Sequence, residues 1–188
     1  MATSTEILEQ HIHEQIALEE QLCRILRMQA EGISSPEFAD AKALLLHAAD
    51  ALEEQYRPLN ELLDSLEKES EGASAQIIAN NGHGIRNFLD LEKQKCVLSR
   101  LLRDDYSALN HITISNTSLH TAALALNSDA VATLALKHLE ALAPLVIKIG
   151  KLVPQVILRE LQSLLPTVDL AVAEQATQNT RAAWRRAA

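Results

Sequence analysis

Glycine and proline are scarce in this chain, five of each in 188 residues, and aromatic residues make up only 3 %. A turn-rich β-sandwich or barrel needs more chain reversals than so few breakers supply, and collagen-like repetition is excluded. Two cysteines are too few for a disulfide scaffold. Basic residues are outnumbered, 17 Lys and Arg against 25 Asp and Glu. The concentrated cationic face that phosphate recognition demands is missing, so nucleic-acid binding is not expected. The one basic cluster is Arg181, Arg185 and Arg186 at the C-terminus. No run of about 18 consecutive apolar residues occurs, so no membrane span is expected. The start, MATSTEILEQ, lacks the basic-then-apolar order of a signal peptide. Cys23 and Cys96 stand far apart inside helical patterns and read as inert thiols of a reducing cytoplasm.

What the chain has in quantity is Ala, Leu, Glu and Gln, the strong helix formers. A first helix is expected from Ser4 or Thr5 to about Glu31, where Gly32 stops it, with Leu8, Ile12, Leu22 and Leu26 on one stripe. Gln15 and Glu19 fall on that same stripe, and a carboxylate where the period asks for Leu is the first anomaly. Ser34-Ser35-Pro36-Glu37 reads as a capped start to a second helix that ends near Lys68 and is kinked by Pro58. Residues 70–85 hold three of the five glycines and the turn signal Asn80-Asn81-Gly82, which suits a long crossover between two helical hairpins. A third helix follows from about Ile85 to Leu126, with a Thr- and Ser-rich stretch that predicts a bend near 112–118. Asn127-Ser128-Asp129 closes it and caps a fourth helix, in which Pro144 and Pro154 predict kinks or short breaks. Pro166 ends that helix. The expected architecture is all-α: a four-helix bundle over residues 1–165 with a long crossover, and an amphipathic C-terminal helix over residues 166–188 carrying Trp184.

Helical bundles that bind metals point carboxylates and imidazoles inward, typically a Glu from each of two helices and Glu-x-x-His from each of the others. This chain has no Glu-x-x-His. It offers Glu19 on the first helix, His47, Asp50 and Glu54 on the second, Asp105 and His111 on the third, and His138 and Glu140 on the fourth. His11 and His13 are two apart and face different ways, so they do not chelate together. No Gly-x-Ser-x-Gly turn is present, and Gly82-His83-Gly84 lacks the strand-loop-helix frame of a phosphate cradle. Nothing here reads as a nucleophilic enzyme.

Leu18-Glu19-Glu20-Gln21-Leu22 resembles the Ala-Glu-x-Gln-Leu signature of ferritin-like proteins, in particular their YciE/YciF-like bacterial stress-associated branch. His47, Asp50 and Arg57 are similar to that branch's second-helix pattern, and Asn110-His111-Ile112-Thr113-Ile114 resembles its Glu-His-Tyr-Glu-Ile. Together these matches span roughly residues 7–145 in the family's order. The resemblance implies a ferritin-like four-helix bundle with Glu19 as the first-helix ligand, Asp50 as the second-helix acid and Glu54 where the family often has Gln or His. It also implies a depleted centre. Asn110 and Thr113 stand where the family has glutamates, and the fourth helix lacks its paired acids around His138. Two divalent ions need about four carboxylates in a low-dielectric interior. A tight dinuclear centre is therefore not expected, and a single Fe or Mn ion held among Glu19, Asp50, Glu54, His111 and His138 is the alternative.

The expected function is that of a non-catalytic structural or interaction protein, linked to stress responses through the resemblance. The C-terminal helix, with Trp184 beside Arg181 and Arg185, is the expected contact with a second copy or another protein. The competing expectation is an Fe- or Mn-binding protein with oxidase, peroxide-handling or iron-handling activity.

Overall fold

A computed structural model describes residues 3–69 and 98–187 and is all-helical over them. Four long helices, α1 (Ser4–Gly32), α2 (Ala39–Glu69), α3 (Leu98–Ala125) and α4 (Asp129–Leu164), are followed by a shorter α5 (Val172–Ala187). The crossover expected over residues 70–85, the start of the third helix and Cys96 lie outside the described residues.

The first helix begins at Ser4, as expected, and its cap is Thr3, the residue before it. Thr3 accepts from the Glu6 amide at 3.2 Å while Glu6 accepts from the Thr3 amide at 2.7 Å, a reciprocal capping box. Between α1 and α2 the chain makes a single 3-10 turn, Pro36–Phe38. Ser35 precedes it without capping it, because its hydroxyl donates to the Glu37 carboxylate instead. Pro58, Pro144 and Pro154 all sit inside helices that run unbroken through them. The physical reason is the placement of the carbonyls each proline leaves without a donor. They belong to Glu54, Glu140 and Gly150, all exposed residues, where water can replace the lost bond.

α3 and α4 are joined by a tight reversal centred on Asn127, at φ 55°. The Ser128 amide donates to the Ala123 carbonyl at 2.9 Å and the Asn127 amide to that of Leu124 at 3.2 Å, the paired bonds of a Schellman motif. Asparagine tolerates this left-handed conformation better than other side chains, yet glycine tolerates it best. Asn127→Gly is expected to raise stability by about 0.5–1 kcal/mol, read as a shift in the urea midpoint. A loss of stability would mean that the Asn127 side chain contributes more than its backbone conformation.

The helices pair as two hairpins, α1 with α2 and α3 with α4, which meet through α2–α4 and α1–α3 contacts. The buried apolar residues divide into two clusters. One joins Leu8, Ile12 and Ile16 of α1 to Leu59 and Leu63 of α2, Leu119 and Ala123 of α3, and Val131 and Ala135 of α4. The other joins Leu22 and Leu26 to Leu45 and Leu52, Leu102 and Leu109, and Leu142 and Ile149. The start of α1 therefore lies level with the end of α2, the end of α3 and the start of α4. α1 and α4 run one way, α2 and α3 the other, and α2 finishes at the end of the molecule opposite to where α3 begins.

α4 is long and apolar enough to cross a bilayer by length and composition, with a mean hydropathy of 1.7 over its most apolar window. One face of it, through Val131, Ala135, Leu142, Val146, Ile149 and Val156, lies in the core. α5 touches α4, but Ala173 is its one buried residue among those described, and Trp184 is 72 % exposed.

Candidate functional site

The gap between the two apolar clusters falls at the same level on every long helix. On α1 it lies between Ile16 and Leu22, on α2 between Leu52 and Leu59, on α3 between Ile112 and Leu119, and on α4 between Ala135 and Leu142. A buried polar residue occupies each gap: Glu19, Gln55, Asn116 and His138, with Gln15 one turn before Glu19. These positions obey the helical period of their apolar neighbours, so their side chains are carried inward with the leucines above and below. The result is a polar layer across the middle of an otherwise apolar interior.

Glu19 is its hub. Its Oε1 accepts from Gln15 Nε2 at 2.7 Å and from Asn116 Nδ2 at 3.2 Å, and lies 3.3 Å from His138 Nδ1. Asn116 also donates to the Ile112 carbonyl at 3.3 Å. Glu19, Gln15 and Asn116 are wholly buried and His138 is 1 % exposed. Around this network four further atoms have no partner: Glu19 Oε2, Gln15 Oε1, Asn116 Oδ1 and His138 Nε2. Both polar atoms of Gln55 are unpartnered as well. Unmet buried polar atoms are costly and uncommon in a folded interior.

Of the residues singled out by sequence, Glu19 and His138 meet here, from helices far apart in the chain. Asp50, Glu54 and His111 do not join them. Asp50 faces outward and pairs with Arg27 at 2.8 Å, and Glu54 and His111 are exposed, as are His47 and Glu140. Beside Asp50 the half-exposed Glu53 is flanked by Arg57 and Arg27, whose hydrogen bonds hold its carboxyl below the usual range. Asn110 and Thr113, read as the vacated third-helix ligand positions, are bonded to their own helix at its edge. The residue that α3 sends into the layer is Asn116. Asn116 and Gln55 were recognisable only as amides on apolar stripes, three or four residues from the nearest buried leucine or isoleucine.

A second buried polar pair lies about 16 Å further along α3, three helical turns away. Asp105 is wholly buried, and neither of its carboxyl oxygens has a hydrogen-bond partner. Burial pushes its carboxyl up to about 7, with Gln29 of α1 pulling the other way and Asp104 adding to the rise. Cys23, also buried, has its thiol donating to the Ala49 carbonyl at 3.3 Å and is tied into the α1–α2 packing.

The donor set decides what the layer can hold. Two divalent ions bring a charge of +4 to a site with one carboxylate, and the uncompensated charge in a dry interior makes that combination unfit. Among the described residues no group of three or more His, Cys, Asp or Glu is placed so that it could hold a metal ion. A single divalent ion meets better conditions, with one carboxylate oxygen, one imidazole nitrogen and two amide carbonyls otherwise unpartnered. No family model, curated protein or solved structure matches this chain.

Proposed function

We propose that this chain is a ferritin-like four-helix bundle whose internal centre has lost the capacity for two metal ions, and that it serves as a structural or interaction protein. The observation that carries this reading is the polar layer itself. It takes one residue or more from each long helix at mid-length, as a bundle metal centre does, yet it contains a single carboxylate held by three neighbouring nitrogens. The shared direction of α2 and α3 supports the same reading, since two successive helices that run the same way need a long crossover between them, as in a ferritin-like chain. A cytoplasmic location and a link to stress responses belong to this proposal through the sequence resemblance, and α5 with its exposed Trp184 is its candidate contact for a protein partner.

The unpartnered Glu19 Oε2 and His138 Nε2 favour a second reading, a protein that binds one Fe or Mn ion. Elemental analysis of the protein purified without chelator separates the two. Less than about 0.1 equivalent of any transition metal is expected. Near-stoichiometric Fe or Mn, lost in both Glu19→Gln and His138→Gln, would overturn the proposal in favour of the second reading.

A further inference from the structure

The two hairpins differ sharply in what they show to the outside. α1 and α2 expose charge along their length, including Arg24, Asp50, Glu54, Arg57, Glu61 and Asp64. α3 carries no Asp, Glu, Lys or Arg from residue 106 to its end, and the link to α4 carries none either. Its outer residues are Ile114, 65 % exposed, Leu124, 56 % exposed, and the exposed Thr117, Ser118 and Thr121. On α4 a second apolar stripe runs outside the core stripe at spacings of three, four and seven: Leu136, Ala143, Ile147, Gly150, Pro154 and Leu161. The two surfaces adjoin, because Gly150 packs against the Tyr106 ring and His120 Nδ1 lies 2.8 Å from the Ala132 carbonyl.

A helix apolar on both sides is a helix covered on both sides. Even the hydroxyls on this face are prepared for dry contact. Thr117 donates to the Thr113 carbonyl, Ser118 to that of Ile114 and Thr121 to that of Thr117, at 2.8–3.1 Å. Each hydroxyl proton is thereby satisfied within α3, so excluding water costs little. The face is about 38 Å long on α4, over residues 136–161, and about 29 Å long on α3, over residues 106–125, each one helix diameter, about 10 Å, wide. Its area, about 670 Å², approaches the ~800 Å² that each partner contributes to a stable interface.

We propose that this outer face of the α3–α4 hairpin is where two copies of the chain pair. The charges along its rim select a second copy as the occupant. Glu140 and Lys151 lie on the α4 flank away from α3, three turns apart, at equal distances either side of the middle of the stripe. In an antiparallel pairing about a two-fold axis near Leu145 and Val146, Leu136 of one copy meets Pro154 of the other and Ala143 meets Ile147. Glu140 then comes beside Lys151 of the other copy, twice, by symmetry. A bilayer's anionic head groups would pair with Lys151 but not with Glu140. This inference stands on the outer surface alone, so its failure leaves the reading of the buried layer untouched.

Sedimentation velocity of the full chain at micromolar concentration tests it. A species of twice the 20.7 kDa chain mass is expected, becoming monomeric in Ile147→Glu with the far-ultraviolet helical signal retained. Should Ile147→Glu fail to fold, Thr117→Arg on α3 makes the same test from the other helix. Glu140→Lys and Lys151→Glu are each expected to weaken the dimer at least tenfold, and the double charge swap to restore it. A monomeric parent, a dimer that survives Ile147→Glu or Thr117→Arg, or loss of the dimer only in Trp184→Glu would overturn the proposal. So would flotation of the parent with phosphatidylcholine–phosphatidylglycerol vesicles in place of self-association.

Discussion

Glu19→Ala is expected to destabilise the fold by about 3–5 kcal/mol, through the cavity it opens and the polar partners it abandons. Glu19 Oε1 is the acceptor toward which Gln15, Asn116 and His138 all turn. Truncation leaves the Gln15 amide and the His138 ring with no substitute inside the layer, while Asn116 keeps its bond to Ile112. Glu19→Gln preserves the volume and an acceptor oxygen, so its cost should stay below about 1.5 kcal/mol. The informative contrast is the combined replacement of Gln15, Glu19, Asn116 and His138 by Leu. Exchanging a buried polar network for packed apolar side chains is commonly neutral or stabilising by about 1–4 kcal/mol, and here it fuses two apolar clusters into one. Urea unfolding followed by helical circular dichroism, at one fixed protein concentration, measures all three. A Glu19→Ala variant as stable as the parent would show that the hub is not the keystone of the layer.

Asp105→Asn should reshape the pH dependence of stability. The Asp105 carboxyl titrates near 7 when folded and at the ordinary 3.8 when unfolded, because burial penalises its charge. Below pH 3.8 both states hold the proton and the residue costs nothing through ionisation. Between about pH 4 and 7 the unfolded chain has released its proton while the folded chain keeps it, so stability falls as pH rises. Above pH 7 the loss is complete and amounts to about 4 kcal/mol, since each pH unit between the two titration points costs about 1.4 kcal/mol. Asparagine mimics the neutral carboxyl and has no proton to lose. The variant should match the parent near pH 4 and exceed it by up to about 4 kcal/mol at pH 8. Parallel stability curves for parent and variant between pH 4 and 8 would sink this account of Asp105.

Much of the helical layout was legible in the chain because it is a local property. The stripe through Leu8, Ile12, Leu22 and Leu26 specifies one buried face of α1, and Asn127 marks the α3–α4 reversal by its tolerance of a left-handed conformation. Pro58 was legible as lying within a continuing helix and Pro166 as lying just past the end of α4, while at Pro144 and Pro154 α4 runs on without the short breaks that were one expectation. A break depends on whether the freed carbonyl can reach water, and that depends on the neighbouring helices. The site was half legible. Glu19 stood out as an acid among leucines, and His138 was one imidazole among several. Asp50, Glu54 and His111 were drawn in by spacing and by resemblance, but a residue's angular position is set by the whole stripe of its helix, and theirs point to solvent. Gln55 and Asn116 went unrecognised because which residues share a level depends on the axial register of four helices, and no single helix encodes that.

The layer has one more consequence, for the uniqueness of the fold. An interior built largely from Leu and Ala presents nearly the same surface after any helix slides by one turn, about 5.4 Å, and such a pack is prone to settle in several alignments. With Glu19 at mid-length that degeneracy disappears. A one-turn slip of α1 would strand a carboxylate among leucines on one side and leave Asn116 and His138 facing aliphatic carbon on the other. The polar residues act as an alignment pin, giving up some stability so that four similar helices have one way to come together.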